Sequence, residues 1–245
     1  MKKKYTIASL SCLFFLLHFH PVVAQEQVQQ WKRFELVLTH TSAGNPFTDV
    51  KLSAAFSNKD TSFTVDGFYD SNDTFRIRFM PQQTGAWKYV TKSNVKTLSS
   101  KKGSFECTPA KGDNHGMVQV SNMYNFSYAD GKQYYPVGTT AYAWNHMGKD
   151  LQTITLEALK HSGFNKIRMC VFPKDYNLVK EEPELFPFLS TTKTTGATSN
   201  KNWDYTRFNP AFFKTLEQQI NALDELGIEA DLILFHPYDK GRWGF

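Results

Sequence analysis

The sequence predicts a multidomain β + α/β protein, an N-terminal β-sandwich followed by alternating strands and helices. Two observations carry this. From Trp31 to about Pro109 apolar residues recur with period two, and turn chemistry separates the runs. After Lys111-Gly112-Asp113-Asn114 the pattern becomes β-α-β-α-β, with short connections from each helix to the next strand.

In the first region Phe34, Leu36 and Leu38 alternate with Arg33, Glu35 and Val37, and Val50, Leu52 and Ala54 alternate with Lys51 and Ser53. Phe75, Ile77 and Phe79 alternate with Arg76, Arg78 and Met80, and Phe105 and Cys107 flank Glu106. Gly44-Asn45-Pro46, Asp70-Ser71-Asn72-Asp73 and the stretch from Pro81 to Gly85 supply the turns. Short alternating strands at this spacing predict a small antiparallel sandwich.

In the second region Tyr124 to Tyr128 and Lys132 to Val137 flank Asp130-Gly131, a two-residue hairpin signal. A strand is expected over Tyr135 to Thr140, then a helix from about Leu151 to His161 with Leu151, Ile154, Ala158 and Leu159 on its apolar face and Gly163 as its C-cap. A second strand spans Asn165 to Phe172. Asn209 as N-cap and Pro210 at the first helical position open another helix, lined by Phe213, Leu216, Ile220 and Leu223 and ended by Gly227. The third strand, Ala230 to Phe235, reads as apolar throughout, as a parallel strand covered on both faces should. One connection is long. Pro173 to Phe208, including Thr191-Thr192-Lys193-Thr194-Thr195, separates the second strand from its helix, and loops beyond about 15 residues are usually functional or disordered.

The first residues have the grammar of an export signal. Met1 to Tyr5 is basic, Ile7 to Phe19 is apolar, and Val22-Val23-Ala24 offers a cleavage site before Gln25. The apolar run is shorter than the roughly 20 residues of a spanning helix, so export by cleavage of residues 1–24, without stable membrane insertion, is expected. The formal charge of +5 includes Lys2, Lys3 and Lys4, and no Lys/Arg stripe interleaves with aromatics, so nucleic acid is excluded as a partner. A chain with 41% hydrophobic and 15% aromatic residues is not disordered. Cys107 and Cys170 each fall within an apolar strand and are expected as buried small hydrophobes. The chain has no C-x-x-C and no H-E-x-x-H, so no metal and no cofactor is expected.

When parallel strands alternate with helices, the polar residues just past each strand's C-terminal end face the site. After the first strand come Tyr142, Trp144, Asn145 and His146. The second carries Arg168 and is followed by Lys174, Asp175 and Tyr176; the third is followed by His236, Tyr238, Asp239, Arg242 and Trp243. A lone base such as Arg168 inside a buried strand calls for a buried acid. Aromatic rings beside hydrogen-bonding groups suit a sugar, with its apolar C–H face and hydroxyl edge. Substrate-binding or supporting roles are therefore expected for Arg168, His236, Trp144, Asn145, His146, Lys174, Tyr176, Tyr238, Asp239 and Trp243.

At these residues the chain resembles a known family. Gly67-Phe68-Tyr69-Asp70, then Thr74-Phe75-Arg76-Ile77-Arg78-Phe79-Met80-Pro81 and Thr84-Gly85-Ala86-Trp87-Lys88-Tyr89, resemble the immunoglobulin-like domain that precedes certain bacterial sugar-cleaving barrels. Gly163-Phe164-Asn165-Lys166-Ile167-Arg168, and Gly227-Ile228 leading into Leu232-Ile233-Leu234-Phe235-His236, resemble the barrels of clan A glycoside hydrolases with apiosidase-like members. The resemblance implies an immunoglobulin-like sandwich over residues 28–110. Over residues 115–245 it implies the first three strands and two helices of a (β/α)8 TIM barrel. It implies an exported, periplasmic or extracellular enzyme with a carbohydrate substrate and a retaining two-carboxylate mechanism, in which Arg168 holds the nucleophile and His236 lines the sugar site. The catalytic glutamates of that clan come from the fourth and seventh strands and are expected beyond Phe245, so the chain alone is expected to be inactive. The competing expectation is a non-catalytic carbohydrate-binding surface or periplasmic protein.

Overall fold

A computed structural model of the chain describes residues 26–59, 61–175, 182–191, 202–236 and 243. The expected export signal, residues 1–24, lies outside the described residues. The protein is mostly β, with several small sheets and few helices.

The N-terminal half contains β1 (Gln27–Gln29), β2 (Phe34–Thr39), the short helix α1 (Pro46–Asp49), β3 (Leu52–Ser57), β4 (Ser62–Asp66), β5 (Phe68–Ser71), β6 (Thr74–Phe79), β7 (Gly85–Ser93) and β8 (Lys102–Thr108). They form a five-stranded sheet, β1-β8-β7-β3-β4, and a three-stranded antiparallel sheet, β2-β6-β5. Period two now has its physical reason. Leu52, Ala54 and Phe56 on β3 are buried, as are Phe75, Ile77 and Phe79 on β6, and all join one core with Trp87, Phe105 and Cys107. The sheets face each other through aromatic pairs: Phe34 stacks on Phe105 at 4.2 Å and Phe56 on Phe79 at 4.3 Å. The Asp70–Asp73 turn joins β5 to β6 with Asn72 and Asp73 both at positive φ, the backbone of a hairpin turn that matches strand twist. Gly44-Asn45-Pro46 is not a simple turn: Asn45 caps α1 by accepting from the Phe47 amide, and Val50 leaves the strand to end that helix. Burial pushes the Cys107 thiol up to about 11, as for an inert core thiol, and Cys170 is likewise buried.

The C-terminal half contains β9 (Val118–Val120), β10 (Phe126–Tyr128), β11 (Gly138–Thr140), a 3-10 turn (Trp144–His146), α2 (Lys149–Lys160), β12 (Lys166–Cys170), β13 (Phe188–Ser190), β14 (Trp203–Phe208), α3 (Pro210–Glu225) and β15 (Glu229–Ile233). The Asp130-Gly131 turn forms, but β10 pairs with β9, and the segment after the turn is no strand: it meets β10 through a bridge from Gln133 to Ser127, with Tyr128 N–H donating to the Lys132 carbonyl and Tyr134 N–H to that of Phe126. β11, β12 and β15 make a parallel sheet in the order β11-β12-β15. α3 starts and stops where local chemistry dictates. Asn209 accepts from the Ala211 amide, Pro210 opens the first turn, and Gly227 at φ +71 closes a Schellman motif. In that motif Ile228 N–H donates to the Leu223 carbonyl, and Gly227 N–H to that of Asp224.

Three expectations are corrected. α2 turns Leu156 and Leu159 toward the core and leaves Leu151 and Ile154 exposed. Gly163 does not cap it, because the helix ends at Lys160 and His161 at φ −98 is its C-cap. The expected strand from Ala230 to Phe235 ends at Ile233 as β15 and is neither apolar throughout nor covered on both faces, since Asp231 interrupts it and Leu232 is exposed, as are Leu234 and Phe235 beyond its end.

The halves are joined by a ladder of alternating charge. Arg76 pairs with Asp70 and Glu35, Arg78 pairs with Glu35 and Glu217, and Arg33 also reaches Glu217 on α3. Burial works to raise the Glu217 pKa, but Arg78 and Arg33 outweigh it and hold the carboxyl below the usual range. Glu217→Gln is expected to lower stability by about 1–2 kcal/mol, because hydrogen bonds to charged groups outrank neutral ones and these pairs are half-buried. Urea unfolding at neutral pH measures it, and an unchanged midpoint would mean that the ladder is ornamental.

Candidate functional site

Parallel pairing brings the C-terminal ends of β11, β12 and β15 to one edge. The register sets Thr140 beside Arg168 and Arg168 beside Asp231. Pairing continues past the strands, with Cys170 N–H donating to the Tyr142 carbonyl and Val171 N–H to that of Ile233. Beyond this edge Lys174 Nζ lies 2.9 Å from His236 Nδ1, and the His236 ring sits 6.2 Å from that of Tyr142. Lys174 is buried, at 5% exposure, which is rare for an ammonium and places it inside the site rather than on a solvated rim.

Arg168 differs from its expectation. Ile167 and Met169 are fully buried against the helices, so strand alternation turns Arg168 to the opposite face, where its side chain is 54% exposed. Its acid is Asp231, directly opposite on β15, whose Oδ2 accepts from Arg168 Nε at 2.8 Å. That hydrogen bond, then the carboxylate's charge, raises the guanidinium pKa. One edge of the planar fork is thus engaged, and the terminal nitrogens are the part suited to a second planar anion. Asp231 was not singled out by the sequence reading; an acid inside an otherwise apolar strand, two elements from a base inside another, was the available signal. At the other end of the same face Glu229 accepts from the Tyr134 hydroxyl and pairs with Lys166 at 3.3 Å, tying the segment after β10 to the sheet.

The Trp144–Asn145–His146 turn goes elsewhere. Trp144 is 4% exposed and packs in the second core with Leu159, Ile167, Met169 and Phe212, its indole N–H directed to the Gln152 carbonyl. Asn145 is buried, and its backbone carbonyl accepts from Gln219 of α3 at 3.0 Å. His146 stacks near Phe212, with ring centroids 6.1 Å apart. Burial lowers the His146 pKa to about 4 against the opposing pull of the Cys170 and Phe172 backbone carbonyls, so the imidazole is neutral at neutral pH. Both Asn145 and His146 line a cavity of about 370 Å³ between α2 and α3, together with Lys149, Glu184 and Gln219. Among the described residues Asn145 Oδ1 and His146 Nε2 have no hydrogen-bond partner. The structure therefore groups Lys174 and His236 beside Tyr142, with Arg168 in electrostatic reach of Tyr142, and sets Trp144, Asn145 and His146 on the helix side of the sheet. Trp243 belongs to a third cluster with Phe186 and Trp203, where its indole N–H donates to Glu182 at 2.7 Å. Tyr176, Tyr238 and Asp239 lie outside the described residues.

Among the described residues no group of three or more His, Cys, Asp or Glu could hold a metal. Among them, too, no helix is long and apolar enough to cross a membrane.

Known proteins resemble the chain as follows. Residues 27–94 match a family described as a domain of unknown function, DUF5060. A solved "putative glycoside hydrolase" from Bacteroides vulgatus ATCC 8482 is 53% identical with a TM-score of 0.85, covering 90% of this chain and 43% of that one. The chain thus spans less than half the length of that protein. A family 39 glycoside hydrolase from the gut symbiont Bacteroides cellulosilyticus WH2 is 11% identical with a TM-score of 0.24, covering 85% of this chain and 32% of that one. A Bacteroides ovatus GH5 xyloglucanase solved with a heptasaccharide is 9% identical with a TM-score of 0.24, covering 90% and 45%. No curated protein matches the chain.

Proposed function

We propose that the chain is part of an exported glycoside hydrolase of the clan A, apiosidase-like kind. In this reading residues 28–110 are its immunoglobulin-like sandwich and residues 115–245 the opening strands and helices of its (β/α)8 barrel. The observation that carries the reading is the 53% identity to the Bacteroides vulgatus protein over nearly the whole chain. The meeting of Lys174, His236 and Tyr142 past the ends of three parallel strands, with Arg168 on the middle strand within electrostatic reach of Tyr142, supports it. Arg168, braced by Asp231, would present its terminal nitrogens to the nucleophilic carboxylate and hold it ionised. His236 and Lys174 would meet sugar hydroxyls, and Tyr142 would offer an aromatic face.

A retaining mechanism uses an acid/base and a nucleophile roughly 5 Å apart. The described carboxylates on the site's own strands are committed, Asp231 to Arg168 and Glu229 to Tyr134 and Lys166. The 245-residue chain is therefore expected to bind a saccharide without turning it over. The test has two readings on the purified chain, calorimetric binding and hydrolysis of a panel of plant and algal glycans and aryl glycosides. Binding that weakens at least tenfold in His236→Ala and Lys174→Ala supports the proposal. Absence of binding to every member, or binding indifferent to both substitutions, would overturn it. Turnover that survives rigorous purification would overturn the expectation that the catalytic pair lies beyond residue 245.

A further inference from the structure

The halves meet at a second place. At the start of α1 the Asn45 side-chain amide donates to the Thr206 backbone carbonyl at 3.0 Å and to Thr206 Oγ1 at 3.1 Å. Two residues on, Phe47 rests edge-on against Phe208 of β14 at 6.0 Å and against Tyr69 of β5 at 4.9 Å. The contacts then continue through the long connection. Phe208 stacks on Phe188 of β13 at 5.3 Å, Phe188 meets Phe172 at 5.8 Å, and Phe172 meets Phe235 at 5.8 Å. Phe235 immediately precedes His236. A line of rings, Tyr69–Phe47–Phe208–Phe188–Phe172–Phe235, therefore runs from the N-terminal three-stranded sheet to the C-terminal end of β15.

A two-stranded hairpin is marginal by itself and needs a packed face to hold one position. The β13–β14 hairpin has its own ties to α3, since Asn209 N–H donates to the Pro187 carbonyl and its side-chain amide to that of Phe186. Those ties fix the hairpin's base beside the helix. The face bearing Phe188 and Phe208 is seated by Phe47, which in turn is seated on Tyr69.

We infer that the Asn45–Phe47 corner is a positioning element. Through it the N-terminal half holds the β13–β14 hairpin, and through the hairpin's rings the strand end that carries His236. Neither Asn45 nor Phe47 is a catalytic residue; Asn45 acts through Thr206 and Phe47 through Phe208. The functional consequence rests on the strand ends being the saccharide site proposed above, whereas the mechanical coupling does not.

The experiment uses the whole chain. In Phe47→Ala, amide exchange across β13 and β14 should quicken by about tenfold, the equivalent of a lost packing contact of ordinary strength. Exchange in β7 and β8 should stay as in the wild type, and Phe47→Leu should restore most of the protection. Amide resonances of Phe188, Phe172, Phe235 and His236 should shift together. Acceleration spread evenly over β7, β8 and β14 would mean a general loss of stability, and shifts confined to residues touching position 47 would mean no transmission; either overturns the inference. Should Phe47→Ala fail to fold, Asn45→Ala tests the bond to Thr206 and Phe208→Leu the ring contact with Phe47, the two parts of the same corner. Coupling without saccharide binding by the wild type would remove the functional proposal and leave the positioning intact; binding without coupling would do the reverse.

Discussion

Phe34→Ala is expected to lower unfolding free energy by about 3–5 kcal/mol, at the severe end for a single core truncation. Phe34 is 1% exposed and stands between the two N-terminal sheets. Its ring stacks on Phe105 at 4.2 Å, meets Phe56 edge-on at 5.8 Å and lies 5.7 Å from Tyr89, so one side chain bridges β2 to β3, β7 and β8. The cavity left behind would be walled by paired strands, which cannot move inward without breaking ladder hydrogen bonds, so little collapse is available. Urea unfolding should show a large fall in midpoint with an unchanged slope. A loss below about 1 kcal/mol would mean that the core around Phe105 and Phe56 re-packs, at odds with its close-packed geometry. The same measurement bears on the joint between the halves. If Glu217 and Phe47 couple them, Phe34→Ala should drag down the unfolding of α3 as well as of the sandwich. Two separated transitions, of which only one moves, would show the halves to be energetically independent.

How much of this was legible in the sequence depended on whether the deciding contact was local. The alternation of Phe75, Ile77 and Phe79 was readable because β6 has one face in the core. β4 was not, because Ser62–Asp66 has no buried residue and hence no period to detect. α3 was readable at both ends, since an Asn-Pro start and a left-handed Gly stop are written in adjacent residues. Arg168 was singled out and its partner missed, because Asp231 becomes its neighbour only through the register of β12 with β15. Counting Ala230 to Phe235 as apolar hid that acid. Trp144, Asn145 and His146 follow a strand end closely, as site residues do, yet which side of the sheet a turn takes is a tertiary choice. Here the Trp144 indole found the helix-side core and took the turn with it.

That choice gives His146 the other large effect. Its folded pKa is depressed from 6.5 to about 4, chiefly by burial. An unfolded histidine takes up its proton near 6.5, so below that value the unfolded state binds more protons than the folded one. The histidine's contribution is therefore fully present above about pH 6.5 and is lost progressively as pH falls toward about 4. The whole depression corresponds to about 3 kcal/mol. What surrounds the ring gives a proton little help: the Phe212 face on one side, the Cys170 and Phe172 carbonyls pulling weakly the other way, and Lys149 and Glu184 in the same cavity wall with opposite charges. Carboxylates also titrate at the acid end, among them Glu217, Asp130 and Asp204 with lowered pKa values, so the wild-type curve alone does not isolate the imidazole. The difference between wild type and His146→Gln does. Denaturant unfolding of both at pH 7.0, 5.5 and 4.5 should show the wild type losing more stability than the variant at each step, with most of the excess accrued by pH 4.5. Parallel curves over that range would mean that His146 is solvated in the native state and accepts its proton without penalty, and that the 3-10 turn is looser than its packing against Phe212 requires.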